Sequence, residues 1–157
     1  MESDLELLFP ALYVPDSNER ILLYRELDSL TDSREIEAFR ARMKDRFGTI
    51  PKEGEELIRV VTMRHKAQKL GIEKIYLKGG RMNLLLVDTR NERYYTSELF
   101  GNIMGYIPTS QYRCKVREGE GRCIITVENV KNVETALAFI EEMQRHADIS
   151  RQATENH

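Results

Sequence analysis

Apolar residues recur every three or four positions along three consecutive stretches of the N-terminal half, and this spacing predicts three amphipathic helices. Two of these stretches begin at an aspartate followed three residues later by a glutamate. Such a pair is typical of a helix start, because the carboxylates accept hydrogen bonds from unpaired backbone N–H groups. The pairs are Asp16 with Glu19 and Asp32 with Glu35. The second helix carries a clear apolar stripe, which consists of Ile36, Phe39, Met43 and Phe47.

A sharp corner is predicted between the second and third helices, at residues 45–51. Gly48 suits the left-handed backbone conformation that commonly ends a helix. Pro51 suits the first turn of the next helix, where its missing N–H has no partner to lose. The apolar positions of that third helix continue to Leu70, and Gly71 ends it.

Beyond Gly71 the pattern changes from helical spacing to extended runs separated by turn residues, which indicates β-hairpins. The first hairpin is predicted over residues 72–88 and the second over residues 112–127. Two further helices are predicted, because Ser97 and Asn132 are suited to cap them.

The fold class predicted from this order is α+β, in which an N-terminal helical half of three helices is packed with a small antiparallel sheet of two hairpins plus two further helices. Residues 5–9 are also compatible with a short edge strand. Residues 1–146 are predicted to form a single domain, and the polar residues 147–157 a flexible tail.

Composition and charge favour a globular protein without a general affinity for nucleic acid. The chain has 157 residues, of which 41% are hydrophobic and 32% charged, and its net charge is -2. These values are typical of a folded domain rather than of a disordered or strongly basic chain. No segment resembles a signal peptide or reaches the length of a membrane span, so we expect a soluble, cytoplasmic protein.

Candidate chemical groups are sparse along the chain. Cys114 and Cys123 fall on the two strands of the second predicted hairpin with no histidine nearby, so we expect free thiols rather than a zinc site. The three histidines are isolated, no phosphate-binding glycine loop is present, and carboxylates alternate with Lys and Arg on helix faces. We therefore expect no cofactor, no metal ion and no catalytic activity.

Asp45 is the residue that least fits its local setting. It lies in the last turn of the second helix, where the helix dipole disfavours a negative charge. At about 100° per residue it points roughly 200° away from Met43, so the apolar stripe does not explain it. Two interpretations remain open. Asp45 is either a solvated charge with at most a local pair to Arg42, or a contact for a partner.

An accessory nucleic-acid-contacting domain is the alternative function. Acidic residues share the basic segment of the second helix, and no exposed aromatic residues are interleaved there to stack on bases. The basic residues of that helix are Arg34, Arg40, Arg42, Lys44 and Arg46.

Three groups of residues carry a resemblance to a known family through their order and spacing. In chain order they are Tyr13-Val14-Pro15-Asp16 with Arg20 and Leu23-Tyr24, Asp45-Arg46-Phe47-Gly48 with Pro51, and Ala67 with Leu70-Gly71-Ile72-Glu73-Lys74. Over residues 10–75 this series resembles the C-terminal domain of the bacterial transcription-repair coupling factor, Mfd.

The resemblance implies a regulatory function in DNA repair. In that family the parent protein is a large ATP-driven DNA translocase that displaces stalled RNA polymerase and recruits UvrA through a module resembling UvrB. The C-terminal domain binds that module and hides its UvrA-binding face. The implied function is therefore non-catalytic autoinhibition in transcription-repair coupling and nucleotide excision repair. The UvrB-like module is the implied direct partner, with UvrA and RNA polymerase as indirect ones.

The same resemblance implies which residues contact the partner. The family's contact surface lies around the helix that ends in the Asp-Arg-Phe-Gly corner, and it carries over here to Asp45 and Arg46. The position one turn earlier departs from the family, because an acidic residue is expected there and this chain has Arg42. Arg42 is therefore a third partner-binding candidate with an altered charge. Phe47 and Gly48 are expected to shape the corner rather than to touch the partner.

Overall fold

The computed structural model describes the backbone of residues 2–3 and 9–155. The chain forms two compact units, one of residues 6–65 and the other of residues 1–5 and 66–157. The single domain over residues 1–146 with a flexible tail stays a prediction, and the last helix continues through that predicted tail to Glu155.

Three helices make up the helical unit, and all three are predicted from the apolar spacing. Asp16 accepts hydrogen bonds from the N–H groups of Asn18 and Glu19, and Asp32 accepts one from Glu35. Both predicted caps are therefore present, and each helix begins at the residue after its capping aspartate or, for the third, after Pro51. The helices are α1 (Ser17–Ser29), α2 (Ser33–Phe47) and α3 (Lys52–Lys69).

The core of the helical unit is built around Phe9, which precedes α1. Its ring is 1% exposed and stacks on the ring of Tyr24 at a centroid distance of 5.6 Å. The backbone N–H of Phe9 donates to the Tyr24 hydroxyl at 3.0 Å, so the segment folds back onto α1. Buried side chains from all three helices surround it, and they include Leu27, Leu30, Ile36, Phe39, Met43, Ile58 and Val61.

The other unit contains a sheet that includes both predicted hairpins. Its strands lie in the order β1-β2-β3-β5-β4, and all neighbours are antiparallel except β1, which runs parallel to β2. The strands are β1 (Glu2–Ser3), β2 (Ile72–Lys78), β3 (Arg81–Asp88), β4 (Cys114–Gly119) and β5 (Arg122–Glu128). Leu84 of β3 pairs with Ile75 and with Ile125, and all three are buried.

Three helices accompany this sheet, one more than predicted. They are α4 (Glu92–Tyr95), α5 (Glu98–Tyr106) and α6 (Val133–Glu155). Ser97 and Asn132 cap α5 and α6 through hydrogen bonds to Phe100 and Thr135, as predicted. The additional helix, α4, is only four residues long, too short for a periodic pattern to reveal.

These observations confirm the α+β class with its three N-terminal helices and two hairpins. Cys114 and Cys123 are free thiols on the neighbouring strands β4 and β5, also as predicted. The possible edge strand at residues 5–9 falls mostly outside the described residues, and Phe9 itself lies in no strand.

Gly71 connects α3 to β2 at a point where only glycine fits. Its φ is +81°, and a Cβ added to it would overlap the ring of Tyr94. The Tyr94 hydroxyl donates to the backbone carbonyl of Leu70 at 2.7 Å, which satisfies an otherwise unpaired carbonyl at the end of α3. Burial raises the pKa of Tyr94, so its hydroxyl stays protonated and able to donate.

We therefore expect Gly71→Ala to lower the free energy of unfolding by about 3 kcal/mol or more, since strain at positive φ adds to overlap with a packed ring. Gly48→Ala is the matched control, because Gly48 also has a positive φ of +87° but a Cβ there would meet nothing within 4 Å. It should cost about 1 to 2 kcal/mol. Urea unfolding measures both, and equal losses would contradict the role assigned to Tyr94.

Candidate interaction surface on the second helix

Asp45 lies in the last turn of α2 with its side chain exposed. The buried residues of that helix are Ile36, Phe39 and Met43, so Asp45 takes no part in the apolar stripe. It forms no ion pair within the part of the chain that the structure describes. The local pair with Arg42 that the sequence left open is not formed, because Arg42 pairs instead with Glu26 of α1.

The two arginines predicted to contact a partner are held by carboxylates of α1. Arg42 pairs with Glu26, and Arg46 pairs with Glu19. The Arg46 guanidinium also lies 4.9 Å from the centre of the Phe47 ring, within the range of a cation–π contact. The arginine side chains remain 62% and 65% exposed. Each therefore keeps N–H donors available to a partner, and each pair adds at most about 1 kcal/mol to stability.

These ion pairs border a small depression between α1 and α2. Its volume is about 170 Å³, and it is lined by Leu23, Glu26, Phe39, Arg42, Met43, Arg46 and Phe47. This volume is below the range of sites that bind drug-sized ligands, which begins at about 300 Å³. The depression is therefore of a size to accept a single apolar side chain from a partner, with charged groups around it.

The corner after α2 is maintained by a tyrosine that the sequence analysis did not assign to it. The Tyr13 hydroxyl donates to the Gly48 carbonyl at 2.8 Å, with the Met43 carbonyl 3.3 Å away. The rings of Tyr13 and Phe47 lie 5.6 Å apart. Burial and, secondarily, the charge of Glu55 raise the pKa of Tyr13, which favours the protonated hydroxyl that makes this hydrogen bond.

The conformation of the corner differs in two details from the predicted one. Gly48 has φ 87° and ψ -165°, which is a positive φ but a more extended conformation than the left-handed helical one. Pro51 stands directly before α3, which begins at Lys52, and its carbonyl accepts hydrogen bonds from the N–H groups of Gly54 and Glu55. The chain is therefore extended at Gly48, and α3 begins directly after Pro51.

Glu19 and Glu26 are the site residues that sequence reasoning missed. Glu19 fits the predicted capping pair with Asp16, but its carboxylate pairs with Arg46. Asp16 accepts the capping hydrogen bonds, from the N–H groups of Asn18 and Glu19. Glu26 faces Arg42 across the two helices and is 16 residues away in sequence. Only the opposite charges of these residues could have suggested the pairs, and many other pairings along these charged helices are equally compatible with the sequence.

Most of the basic residues on α2 are neutralised by neighbouring carboxylates. In addition to Arg42 and Arg46, Arg40 pairs with Glu37 and, at 3.1 Å, with Glu55 of α3. Of the basic residues on α2, only Arg34 and Lys44 form no ion pair with a described residue. Among the described residues, no three His, Cys, Asp or Glu side chains are grouped to hold a metal ion. None of the helices that the structure describes has the length and apolar character to cross a membrane.

Comparison with known proteins gives the family. The model of the TRCF domain matches residues 3–97 of the chain. The chain belongs to the TRCF domain family. This match includes the whole of α1, α2 and α3, and therefore the surface formed by Asp45, Arg42 and Arg46. The resemblance carried by residues 10–75 is confirmed.

Relatives of this TRCF domain include transcription-repair-coupling factors of several bacteria. The factor of Escherichia coli (strain K12) is 33% identical over 78 residues, which cover 47% of this chain and 7% of that protein. The factor of Rickettsia bellii (strain RML369-C) is 29% identical over 113 residues, which cover 72% of this chain and 10% of that protein. The chain thus spans a tenth or less of the length of these relatives.

A solved structure shows the same fold. It is described as the crystal structure of the C-terminal domain of transcription-repair coupling factor, and it superimposes with a TM-score of 0.74 at 15% sequence identity. The superposition covers 94% of this TRCF domain and 93% of the solved chain. It includes the strand-rich part, where sequence motifs carry little of the resemblance.

We expect Tyr13→Phe to lower the free energy of unfolding by about 0.5 to 1 kcal/mol, because the hydrogen bond to the Gly48 carbonyl is lost at a partly solvated position. Tyr76→Phe is the control, since Tyr76 is also half-buried and its hydroxyl makes no hydrogen bond to a described residue. Denaturant unfolding should show a smaller loss for the control. Equal losses would mean that the Tyr13 hydroxyl does not stabilise the corner.

Proposed function

We propose that this chain is a non-catalytic autoinhibitory domain of a transcription-repair coupling factor. In this proposal it masks the UvrA-binding face of a UvrB-like module in the same parent protein and so restrains a DNA translocase. UvrA and RNA polymerase are affected indirectly. Membership of the TRCF domain family supports the parent, and the solved C-terminal domain supports the fold.

The proposed location of the contact rests on the setting of Asp45. Asp45 is exposed in the last turn of α2, where the helix dipole disfavours it, and it has no ion pair with a described residue. A carboxylate in this position is not explained by folding of the helical unit. It is available to bind a basic or hydrogen-bond-donating group on a partner.

Arg42 and Arg46 contribute differently from Asp45 in this proposal. Their ion pairs with Glu26 and Glu19 fix the guanidinium groups beside the small depression before a partner arrives. A partner therefore orders fewer side chains when it binds, which lowers the entropic cost. The pair of Arg42 with Glu26 also places a carboxylate near the position where the family is expected to have an acidic residue.

The contact suits a reversible switch. It combines a carboxylate that has no ion pair with a described residue, two partly neutralised arginines and a depression for a single side chain, all at an exposed surface. Such contacts are individually weak, and a coupling free energy of about 1 to 3 kcal/mol is sufficient to regulate a second site. A much stronger contact would keep the UvrA-binding face masked at all times.

The arginine-rich α2 supports nucleic-acid binding less well than the sequence suggests. Three of its arginines pair with carboxylates of the helical unit, which lowers the positive charge available to phosphates. An affinity for duplex DNA that falls steeply between low and physiological salt would favour this alternative function.

Asp45→Arg is the test of the masking contact. We expect the free energy of unfolding to change by less than about 0.5 kcal/mol, since the side chain is exposed and makes no described ion pair. Binding to the purified UvrB-like module of the parent should weaken about tenfold or more, because the attraction between Asp45 and a basic group of the partner is replaced by repulsion between two positive charges. Calorimetric titration measures the affinity.

Asp148→Arg is the matched control for this substitution. Asp148 is likewise an exposed aspartate within a helix, α6, without a described ion pair. Binding should match that of the unsubstituted chain. If Asp45→Arg also binds normally, or if it loses several kcal/mol of stability, the contact surface proposed here is wrong.

A further inference from the structure

A larger groove lies between α1 and α3, within the helical unit. Its volume is about 680 Å³, and its residues are apolar at the base and charged at the rim. The base is formed by Phe9, Leu27, Leu57, Val60 and Val61. All of these except the half-buried Leu57 belong to the buried core, so the base of the groove is an exposed edge of that core.

The rim of the groove is positively charged. It carries Arg20, Arg25 and Arg64 with a single carboxylate, Asp28. Asp28 is already paired with Arg64. The Arg20 Nη1 donates to the Val14 carbonyl at 2.7 Å and to the Pro15 carbonyl at 3.2 Å, which fixes the side chain in place. Arg25 is exposed and forms no ion pair with any described residue, so the rim has an excess of two positive charges.

Apolar surface continues past the edges of the groove. Ile21 is 49% exposed and lies one helical turn before Arg25 on the same side of α1. Leu12 is 99% exposed and directly follows Ala11, which lines the groove. A ligand enclosed within the groove would leave these side chains in water, whereas a longer partner would cover them.

The groove and the small depression between α1 and α2 lie on different sides of α1. Leu23 and Glu26 of α1 line the small depression with α2, whereas Tyr24 and Arg25 line the groove with α3. The two surfaces therefore share no lining residue.

We propose that the α1–α3 groove is a second docking surface, which binds an acidic amphipathic helix of a protein partner. Apolar side chains spaced by one helical turn would lie on the base, as in other helix-in-groove complexes. Carboxylates flanking that stripe would face Arg20 and Arg25. This charge complementarity selects the partner, because a basic or neutral helix would leave the excess positive charge of the rim unpaired.

A pair of synthetic peptides tests the proposal on the full chain. Both are helical, about 18 residues long, with leucines at one-turn spacing; one has glutamates beside the leucines and the other has lysines in the same places. Titration of the isotopically labelled chain should shift the backbone signals of Arg25, Leu57 and Val61 with the glutamate peptide. The lysine peptide should bind at least about tenfold more weakly.

Arg25→Glu should abolish this preference, so that the two peptides bind with similar affinity, because the substitution removes the rim's excess of two positive charges. Arg34→Glu is the matched control, since Arg34 is an exposed helical arginine without a described ion pair and lies outside the groove. It should leave both affinities unchanged. Asp45→Arg should also leave them unchanged, which separates this surface from the masking contact.

Several results would overturn the proposal. Equal affinity for the two peptides, or no binding of either at millimolar concentration, would remove the charge selection on which it depends. Signal shifts confined to the residues of the small depression between α1 and α2 would place the peptide outside the α1–α3 groove. A concentration-dependent dimer of the chain that Arg25→Glu dissociates would assign the groove to a second copy of this chain instead.

Discussion

The packing of Phe9 is the interaction on which the helical unit depends. Its ring contacts Tyr24 of α1 and Phe39 of α2, and it lies against the first turn of α3 near Gly54. Burying one such ring stabilises the fold by about 2 to 3 kcal/mol, and each aromatic pair adds up to about 1.5 kcal/mol. A single residue before the first helix thus touches all three helices.

The position of α1 explains why the helical unit has two surfaces of different character. On the side facing α2, its carboxylates Glu19 and Glu26 pair with arginines, whereas Asp45 forms no ion pair with a described residue. On the side facing α3, its arginines Arg20 and Arg25 have no carboxylate partner among the described residues and form a basic rim above an apolar base. The first surface suits a weak polar contact with modest energetic coupling, and the second suits burial of apolar side chains with charge selection.

Elements with a long repeating pattern were predictable, and short or locally determined features were not. The spacing of Ile36, Phe39 and Met43 predicts α2, because residues three or four positions apart lie on one face of a helix, and that face can be buried. The four residues of α4 offer no period, and their place depends on hydrogen bonds to other elements. Tyr94 binds the Leu70 carbonyl, and Tyr95 joins the Val87 carbonyl to the Cys123 N–H. These hydrogen-bond partners are distant along the chain, so the sequence around α4 does not indicate them.

The sequence by itself determined the α+β class, the helix caps, the two hairpins and the exposure of Asp45, since each follows from interactions among neighbouring residues. Only the tertiary structure decided what the charges near Asp45 do. Arg42 and Arg46 could each pair with several carboxylates at similar cost, and the choice of Glu26 and Glu19 depends on how α1 packs beside α2. The groove between α1 and α3 was equally hidden, because its base and rim come from segments that are distant along the chain and meet only in the folded structure.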